Sequence, residues 1–496
     1  MKSLYLLILV GFLSSCLKEN RPFSSSLNKE TRAIHKPSSD ELEETSLELQ
    51  LLAKKKVFWD YRTFSPQQLM NAITLGDGVF AVGIRTSDSE NETVDFSKRT
   101  TFLQRAEQLI QGIQDTLSLE GGSVNQEDFV VEVDHFLPIV TFKSKNPAVL
   151  SYILRQHFVR YVEPLSDPIS LHEEKSESGC TPSDYAVNSS DYYSITPNSK
   201  ISWHWGYHNL SEAWNYGQGL GVTVGLIDAG ISASQALLLQ QFNSGNSNVG
   251  RTHQTAYTYG SSQYTSCAHG TSMAGIIAAP WAGYGNAIGG AHKCNLYSVR
   301  AADDVFLNLS AERVAVKNAF VLLGNSSNVK IISMSMGTPL YSSVLYDAVS
   351  YAYTMGKLIF CAAGTSTDLT AGLGVIYPAA FSECQAVTGV KENDASCTVC
   401  HDGEEVDFTI VMERSINDNR HGVSLNTYNA NAQYVGGSSV ATASAASIAA
   451  LVWSYKPWVS RAQILYALKM SAQFPVVRHP LHGYGRMNAG LAMHFI

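Results

Sequence analysis

Short apolar runs alternate with segments of helical spacing from about residue 203 to the C-terminus. The apolar runs lie at 222–227, 295–299, 329–334, 357–362 and 384–390. Parallel strands are joined by crossover connections, which are usually helices. The alternation therefore predicts an α/β fold, a parallel sheet with helices on both faces, over residues 201–496. Because 496 residues are too many for one ordinary core, we expect further units before this domain.

Residues 61–165 carry a different pattern, in the order strand, helix, two strands, helix, strand. The segments are 79–84, 102–117, 129–133, 139–142, 147–158 and 159–164. This order predicts a small α+β domain of the ferredoxin-like type. Residues 166–200 are rich in Ser, Asp, Glu and Pro without periodicity, and we expect an exposed linker there.

The N-terminus has the pattern of an export signal. Lys2 precedes an apolar stretch at 4–13, which is too short to span a bilayer as a permanent helix. The stretch ends in Leu13-Ser14-Ser15-Cys16, which resembles the lipobox of bacterial lipoproteins. That resemblance implies a signal peptide at 1–15, lipidation of Cys16, a tether with a helix at 16–60, and an exported protein held to a bacterial membrane by lipid alone. The alternative is an ordinary signal peptide that contains a cysteine.

Three short segments in the C-terminal part each place one chemically capable side chain among small residues. They are 222–230 with Asp228, 269–275 with His269, and 437–442 with Ser439. Asp228 follows a predicted strand, where functional groups of parallel sheets gather. His269 and Ser439 each open a predicted helix, and backbone N–H groups at a helix start can stabilise an oxyanion. Together they supply the carboxylate, imidazole and hydroxyl that activate a serine nucleophile.

Each segment alone has a simpler explanation: a turn aspartate, a packed histidine, or a capping serine. Their order along the chain is more informative, because α/β-hydrolases run Ser, Asp, His and chymotrypsin-type proteases run His, Asp, Ser. The order Asp, His, Ser resembles the subtilase family of serine endopeptidases. Three further segments resemble motifs of that family: residues 332–337, Tyr377-Pro378-Ala379, and residues 483–489.

The resemblance implies a mechanism and a set of site residues. Ser439 would attack the scissile carbonyl, His269 would move the proton, and Asp228 would orient the imidazole. Substrate would bind along two segments, comprising Ser335, Met336, Gly337, Ala362, Ala363 and Gly364. The domain at 61–165 would be an inhibitory propeptide, so the protein would be made as a zymogen. Its partners would be a peptide or protein substrate and its own propeptide.

One position departs from the family pattern. The family's oxyanion hole uses an Asn side chain after Ala-Ala-Gly, and this chain has Thr365 there. Loss of such an amide donor lowers turnover by roughly 10²–10³-fold in this family. We expect a rearranged oxyanion hole formed by the Thr365 hydroxyl and the backbone N–H of Ser439. Two alternatives remain: a catalytically impaired relative that binds peptide or protein partners, and an esterase, which the chain order disfavours.

The remaining signals are weaker. The chain has eight cysteines, and Cys397-Thr398-Val399-Cys400-His401 matches the haem attachment pattern. We expect a local disulfide, or two cysteines with different partners, in preference to haem or zinc, because zinc would need a fourth ligand. Cys267 is expected to be a buried thiol beneath the site. We expect no required cofactor and no metal; calcium is common in the family, but no Asp-rich loop offers it a site. The net charge of −8, without a dense basic run, argues against nucleic acid as a partner.

Overall fold

The computed structural model describes residues 34–88, 94–119, 124–169, 179–183, 185–307, 309–367 and 370–496. The predicted signal peptide and Cys16 lie outside the described residues. In the described part of the chain, no helix is both long and apolar enough to cross a bilayer.

The N-terminal part folds around one antiparallel sheet. Two helices come first, α1 (Ser39–Lys54) and α2 (Pro66–Leu75), each beginning after a serine that forms a capping box. The elements that follow are β1 (Val79–Ile84), α3 (Arg99–Ser118), β2 (Val130–Val133), β3 (Ile139–Lys143), α4 (Pro147–Leu154) and β4 (Val159–Pro164). The strands pair in the order β2-β3-β1-β4, which is the ferredoxin-like arrangement. Helix α4 ends four residues before the predicted boundary, and Phe158 enters the core instead.

The second half of the predicted linker is largely exposed, but it also contains regular structure that the composition did not predict. Residues after Asp191 form a hairpin of β5 (Tyr192–Ile195) and β6 (Ser199–Ser202) that packs on the C-terminal domain. The Asp191 side chain is fully buried because it pairs with Arg414 and Arg420. Those arginines lie more than 220 residues further along, so local composition could not reveal the contact.

The C-terminal domain is built on one sheet of nine strands. Its elements are α5 (Leu210–Ala213), β7 (Thr223–Asp228), β8 (His253–Tyr257), α6 (His269–Ala278), β9 (Asn295–Arg300), α7 (Ser310–Asn325), β10 (Val329–Met334), α8 (Ser343–Thr354), β11 (Leu358–Ala362), β12 (Cys384–Lys391), β13 (Val406–Arg414), β14 (Asn417–Leu425), β15 (Ala432–Val435), α9 (Gly437–Tyr455), α10 (Arg461–Ser471) and α11 (Ala489–Ala492). The strand order is β15-β14-β13-β12-β11-β10-β7-β9-β8. In this order, every neighbouring pair from β13 through β7 to β8 is parallel, and β14 and β15 add an antiparallel edge. The predicted α/β fold with a parallel sheet is confirmed.

Helix α9 crosses the face of this sheet and is buried almost throughout. It packs against β10, β11, β12 and β13, and its small side chains suit this close packing. Its six alanines are all fully buried: Ala441, Ala443, Ala445, Ala446, Ala449 and Ala450. Strands β7, β10 and β11 are neighbours and parallel, so their carboxyl ends meet at one edge of the sheet. The first turn of α9 lies at this edge and brings Ser439 to the ends of those strands.

Candidate active site

The structure brings Asp228 and His269 into direct contact. Asp228 is the last residue of β7, and His269 is the first residue of α6. The His269 Nδ1 lies 2.8 Å from Asp228 Oδ1, and both side chains are at most 5% exposed. The same carboxylate oxygen accepts a hydrogen bond of 2.8 Å from the Ala229 N–H, which fixes the carboxylate. The pair can hold the imidazole in the tautomer that leaves Nε2 free as a base.

Gly270 allows this approach. A Cβ at Gly270 would lie 2.0 Å from the Gly230 carbonyl oxygen and 3.0 Å from Asp228 Oδ1. Any side chain there would push α6 away from the end of β7. The close packing of α6 against the end of β7 therefore explains the glycine at position 270.

Ser439 lies in the same cleft but faces a different acceptor. Its Oγ is 3.3 Å from the carbonyl oxygen of Ser335, and the Ser335 hydroxyl donates to the Ser439 carbonyl at 3.1 Å. The His269 Nε2 is buried and has no hydrogen-bond partner among the described residues. His269, Ser335 and Ser439 all line one cleft of about 340 Å³. Ser439 Oγ therefore makes no hydrogen bond to His269 in the described part of the chain.

Thr365 contacts the turn that carries Ser439. Its Oγ1 accepts a hydrogen bond of 3.2 Å from the Ser438 N–H and lies 3.2 Å from the Ser438 hydroxyl. The Ser438 Oγ in turn accepts from the Gly364 N–H at 3.2 Å. Thr365 is thus hydrogen-bonded to Ser438, the residue before Ser439.

In the two predicted substrate-binding segments, backbone groups already form hydrogen bonds with other parts of the chain. The Gly337 N–H donates to the Val305 carbonyl at 3.0 Å, and its carbonyl accepts from the Leu307 N–H at 2.9 Å. The Ala363 N–H donates to Val387 at 2.9 Å. Met336, Gly337, Ala362 and Gly364 line the cleft together with Ser335. Their role in binding substrate stays a prediction, and a peptide that pairs with Gly337 would have to displace residues 305–307.

The structure contains two disulfides, and one of them corrects an expectation from the sequence. Cys267 is not a buried thiol, because it forms a disulfide with Cys180. Cys397 and Cys400 form a local disulfide, which occupies both sulfurs that a haem or zinc would need. This local disulfide is the alternative that the sequence favoured over haem and zinc. The described residues contain no group of three or more His, Cys, Asp or Glu side chains placed to hold a metal ion.

Sequence reasoning missed several residues of the cleft. His421 and Tyr434 lie on β14 and β15 and line it near the nucleophile, and Thr181, Ser183 and Tyr185 line it from the segment before the domain. Burial lowers the pKa of His421, although the carboxylates of Glu413 and Asp418 act in the opposite direction. No sequence motif marks these positions; only the antiparallel edge of the sheet, which the alternation pattern did not predict, brings the first two to the site.

Comparison with known proteins agrees with this geometry. A model described as the Subtilase family matches residues 219–486, more than half of the chain. The chain is 30% identical over 304 residues to the minor extracellular protease Epr of Bacillus subtilis (strain 168), covering 60% of this chain and 42% of that protein. It is 31% identical over 302 residues to a thermostable alkaline protease of Halalkalibacterium halodurans, covering 60% of this chain and 75% of that protein. Subtilisin E of Bacillus subtilis (strain 168) is 29% identical over 256 residues, with coverages of 52% and 61%.

Proposed function

The chain belongs to the subtilase family of serine peptidases, and we propose that it is an endopeptidase that hydrolyses peptide bonds through Asp228, His269 and Ser439. The observation that carries the proposal is the buried pair of Asp228 and His269, with the imidazole Nε2 left unpartnered in the cleft that Ser439 lines. An unpartnered buried nitrogen is costly, so its retention argues for a functional partner. Ser439 is that partner once its hydroxyl leaves Ser335.

The proposed reaction follows from these positions. His269 takes the Ser439 proton while Oγ attacks the scissile carbonyl, and it then gives that proton to the leaving amine. Asp228 stabilises the imidazolium that forms between the two transfers. Water repeats the sequence on the acyl-enzyme and restores the free serine. The experiment that tests this function is hydrolysis of a chromogenic peptide amide by the wild type and by Ser439→Ala; equal rates would refute the proposal.

The oxyanion hole is the second part of the proposal. The Ser439 N–H lies in the first turn of α9 and is one donor. We assign the Thr365 hydroxyl as the other. Ser438 Oγ accepts from the Gly364 N–H, and Thr365 Oγ1 accepts from the Ser438 N–H. The two hydroxyls lie 3.2 Å apart and either can donate to the other; we assign Ser438 as the donor. When Thr365 Oγ1 accepts both of these hydrogen bonds, its own hydroxyl proton is free to point at the oxyanion.

Thr365→Val keeps the shape of the side chain and removes the hydroxyl, both its proton and the oxygen that accepts from Ser438. We expect kcat to fall by about 10²-fold, while KM changes by less than about threefold, because the donor acts on the transition state. Steady-state kinetics on a peptide amide measure both constants. Ser366→Ala, at the next residue along the cleft, is the matched control and should leave kcat within about twofold. An unchanged kcat in Thr365→Val would exclude threonine as a donor.

The N-terminal domain is proposed to be the inhibitory propeptide of a zymogen. It packs against the start of two parallel helices of the C-terminal domain, and a carboxylate caps each of them. Glu163 accepts from the N–H groups of Ser343 and Val344 at α8, and Asp167 accepts from the Ser310 N–H at α7. Carboxylates at helix N-termini are favourable because they satisfy unpaired donors and face the positive end of the dipole.

Two buried ion pairs strengthen the same interface. Arg160 of the N-terminal domain pairs with Asp347 of α8, and Asp134 pairs with Lys317 of α7 at 2.6 Å. Burial alone would raise the pKa of Asp134, but Lys317 and the N–H groups of Leu137 and Phe136 outweigh it and hold that pKa below its ordinary value. The domain is therefore expected to stay bound after the chain is cut.

Asp134→Asn should release the processed domain faster, by roughly 10–100-fold, because the buried Lys317 loses its close carboxylate at 2.6 Å and keeps only that of Glu132, which is half exposed and 3.8 Å away. The lag before peptidase activity appears, and size-exclusion chromatography of the cut protein, measure the release. Asp115→Asn, an exposed carboxylate of the same domain, is the control. A lag that is the same in Asp134→Asn and the wild type would exclude the ion pair as a holding contact.

The same pair predicts a pH dependence. The pKa of Asp134 is lowered in the joined state, so its contribution is present above the ordinary carboxyl pKa of about 4 and is lost as the pH falls through the lowered value. Glu163 acts in the other direction, because burial raises its pKa. Wild type should therefore release the domain more readily on acidification than Asp134→Asn does, and parallel pH profiles would contradict this.

Export and lipid anchoring through Cys16 remain part of the proposal. They are supported by the apolar stretch at 4–13 and by Leu13-Ser14-Ser15-Cys16. A lipid anchor would place the peptidase on a membrane surface, where it would act on proteins of the cell envelope or on exported proteins.

A further inference from the structure

Residues 179–183 and 185–191, here called the strap, run along the cleft beside the catalytic histidine. Cys180 is joined by a disulfide to Cys267, two residues before His269. The Cys180 carbonyl also accepts a hydrogen bond of 2.8 Å from the Ala268 N–H. A Cβ at Gly179 would lie 3.2 Å from His269 Cδ2. The near end of the strap is thus bonded covalently to the segment that carries the general base.

The far end of the strap is held by charge. Asp191 is fully buried and accepts from Arg414 at 2.9 Å and from Arg420 at 2.6 Å. Tyr434 donates to the same carboxylate and accepts from the Asn188 N–H at 2.8 Å. Tyr434 lies on β15, the strand that leads directly to Ser439. Between the two ends, Thr181, Ser183 and Tyr185 form part of the cleft lining.

We propose that the strap is a permanent wall of the substrate cleft, which admits flexible, extended polypeptide and keeps folded proteins from Ser439. This rests on the proposed function and adds a substrate class to it. Any cut between the N-terminal domain and Cys180 leaves the strap attached, because the disulfide and the Asp191 ion pairs both lie beyond that cut. The wall is therefore part of the processed enzyme and does not leave with the propeptide.

The burial of the catalytic groups gives the reason for the selectivity. Asp228, His269 and Ser439 are 2%, 4% and 8% exposed. A flexible chain can enter the cleft lengthwise beside the strap. The bulk of a folded protein has to move the strap first, and the disulfide prevents that movement at the histidine.

Reduction of the disulfide can release one end of this wall. A dithiol reductant attacks one sulfur of Cys180–Cys267, forms a mixed disulfide, and closes into its own cyclic disulfide. The reductant loses two electrons and two protons, and Cys180 and Cys267 become thiols. The near end of the strap is then free, while Asp191 still holds the far end.

A pair of matched double variants tests the proposal. Cys180→Ser/Cys267→Ser frees the strap, and Cys397→Ser/Cys400→Ser removes the other disulfide and serves as the control. The substrates are native ribonuclease A and the same chain after reduction and carboxymethylation. We expect kcat/KM for native ribonuclease to rise at least about tenfold in the first variant, with less than about threefold change for the unfolded chain. The control should change neither value. Equal changes on both substrates, or none, would overturn the proposal.

A second route covers a first variant that does not fold. The Cys397→Ser/Cys400→Ser protein is treated with dithiothreitol under native conditions, alkylated and desalted, so that only the strap disulfide has been opened. The same rise on native ribonuclease is expected, and its absence would count against the strap.

Mass spectrometry of the processed protein tests the tether itself. A peptide containing Cys180 should remain disulfide-linked to the peptide containing Cys267 and separate from it on reduction; loss of that peptide from the processed enzyme would refute a permanent wall. The tether can also be measured in Ser439→Ala, so a failure of the peptidase assignment is distinguishable from a failure of the strap.

Discussion

Ser439→Ala should lower kcat for peptide hydrolysis by about 10⁶-fold, the size of effect found when a triad serine is removed from related enzymes. The hydroxyl oxygen is the atom that forms the bond to the substrate carbon, and alanine offers no replacement. The remaining rate would come from the oxyanion donors and substrate positioning alone. Initial-rate kinetics on a chromogenic peptide amide, with a continuous assay and high enzyme concentration, can follow a loss of this size.

The fold should survive this change. In the structure the Ser439 Oγ makes one hydrogen bond, a 3.3 Å contact to Ser335, while the bond from the Ser335 hydroxyl reaches the Ser439 main chain and is kept. The free energy of unfolding should therefore change by no more than about 1 kcal/mol. Ser447→Ala, about two turns further along α9, is the matched control, since its hydroxyl is buried without a partner among the described residues. If Ser447→Ala loses as much activity as Ser439→Ala, the loss reflects helix packing and not the nucleophile.

Asp228→Asn should lower kcat by about 10⁴-fold with little change in KM. The amide is the same size as the carboxylate and can still accept from the Ala229 N–H, so the strand end keeps its shape. It carries no negative charge to stabilise the imidazolium, and its NH₂ group favours the wrong tautomer of His269. Because Asp228 is 2% exposed, water cannot replace the missing charge.

The measurement is kcat of Asp228→Asn against the wild type, together with the thermal midpoint of unfolding. Asp418→Asn, an exposed carboxylate on β14 near the cleft, provides the control and should stay within about threefold of the wild type. A loss of less than tenfold in Asp228→Asn would mean that the buried pair does not support catalysis in the way proposed.

Much of the fold could be predicted because it depends on local patterns. The apolar runs at 329–334 and 384–390 are strands within one residue of the predicted bounds, and the antiparallel order of the N-terminal domain follows from its sequence of elements. The contact of Asp228 with His269 was also expected, since both segments resemble motifs whose geometry is known. The antiparallel edge of β14 and β15 was not, because the alternation that predicts parallel strands does not extend to it.

The strap, and the backbone hydrogen bonds between Gly337 and residues 305–307, could not be predicted. Spacing does not determine which cysteines pair. The disulfide between Cys180 and Cys267, which are 87 residues apart, therefore could not be predicted from the sequence. The bonds from residues 305–307 to Gly337 form an isolated bridge with no periodic pattern. Asp191 is a polar residue in a polar segment, and its burial is explained by three distant partners, Arg414, Arg420 and Tyr434. Such contacts between distant parts of the chain are fixed by the fold and not by local composition.

Covalent labelling tests most directly whether His269 and Asp228 activate Ser439. Purified, processed protein is treated with a fluorophosphonate probe, digested and analysed by mass spectrometry beside Ser439→Ala. We predict one adduct in the wild type, located on Ser439, and none in the variant. An adduct that persists in Ser439→Ala would contradict the assignment of the nucleophile. A wild type that carries no adduct would contradict the peptidase assignment and favour a subtilase relative that only binds peptides.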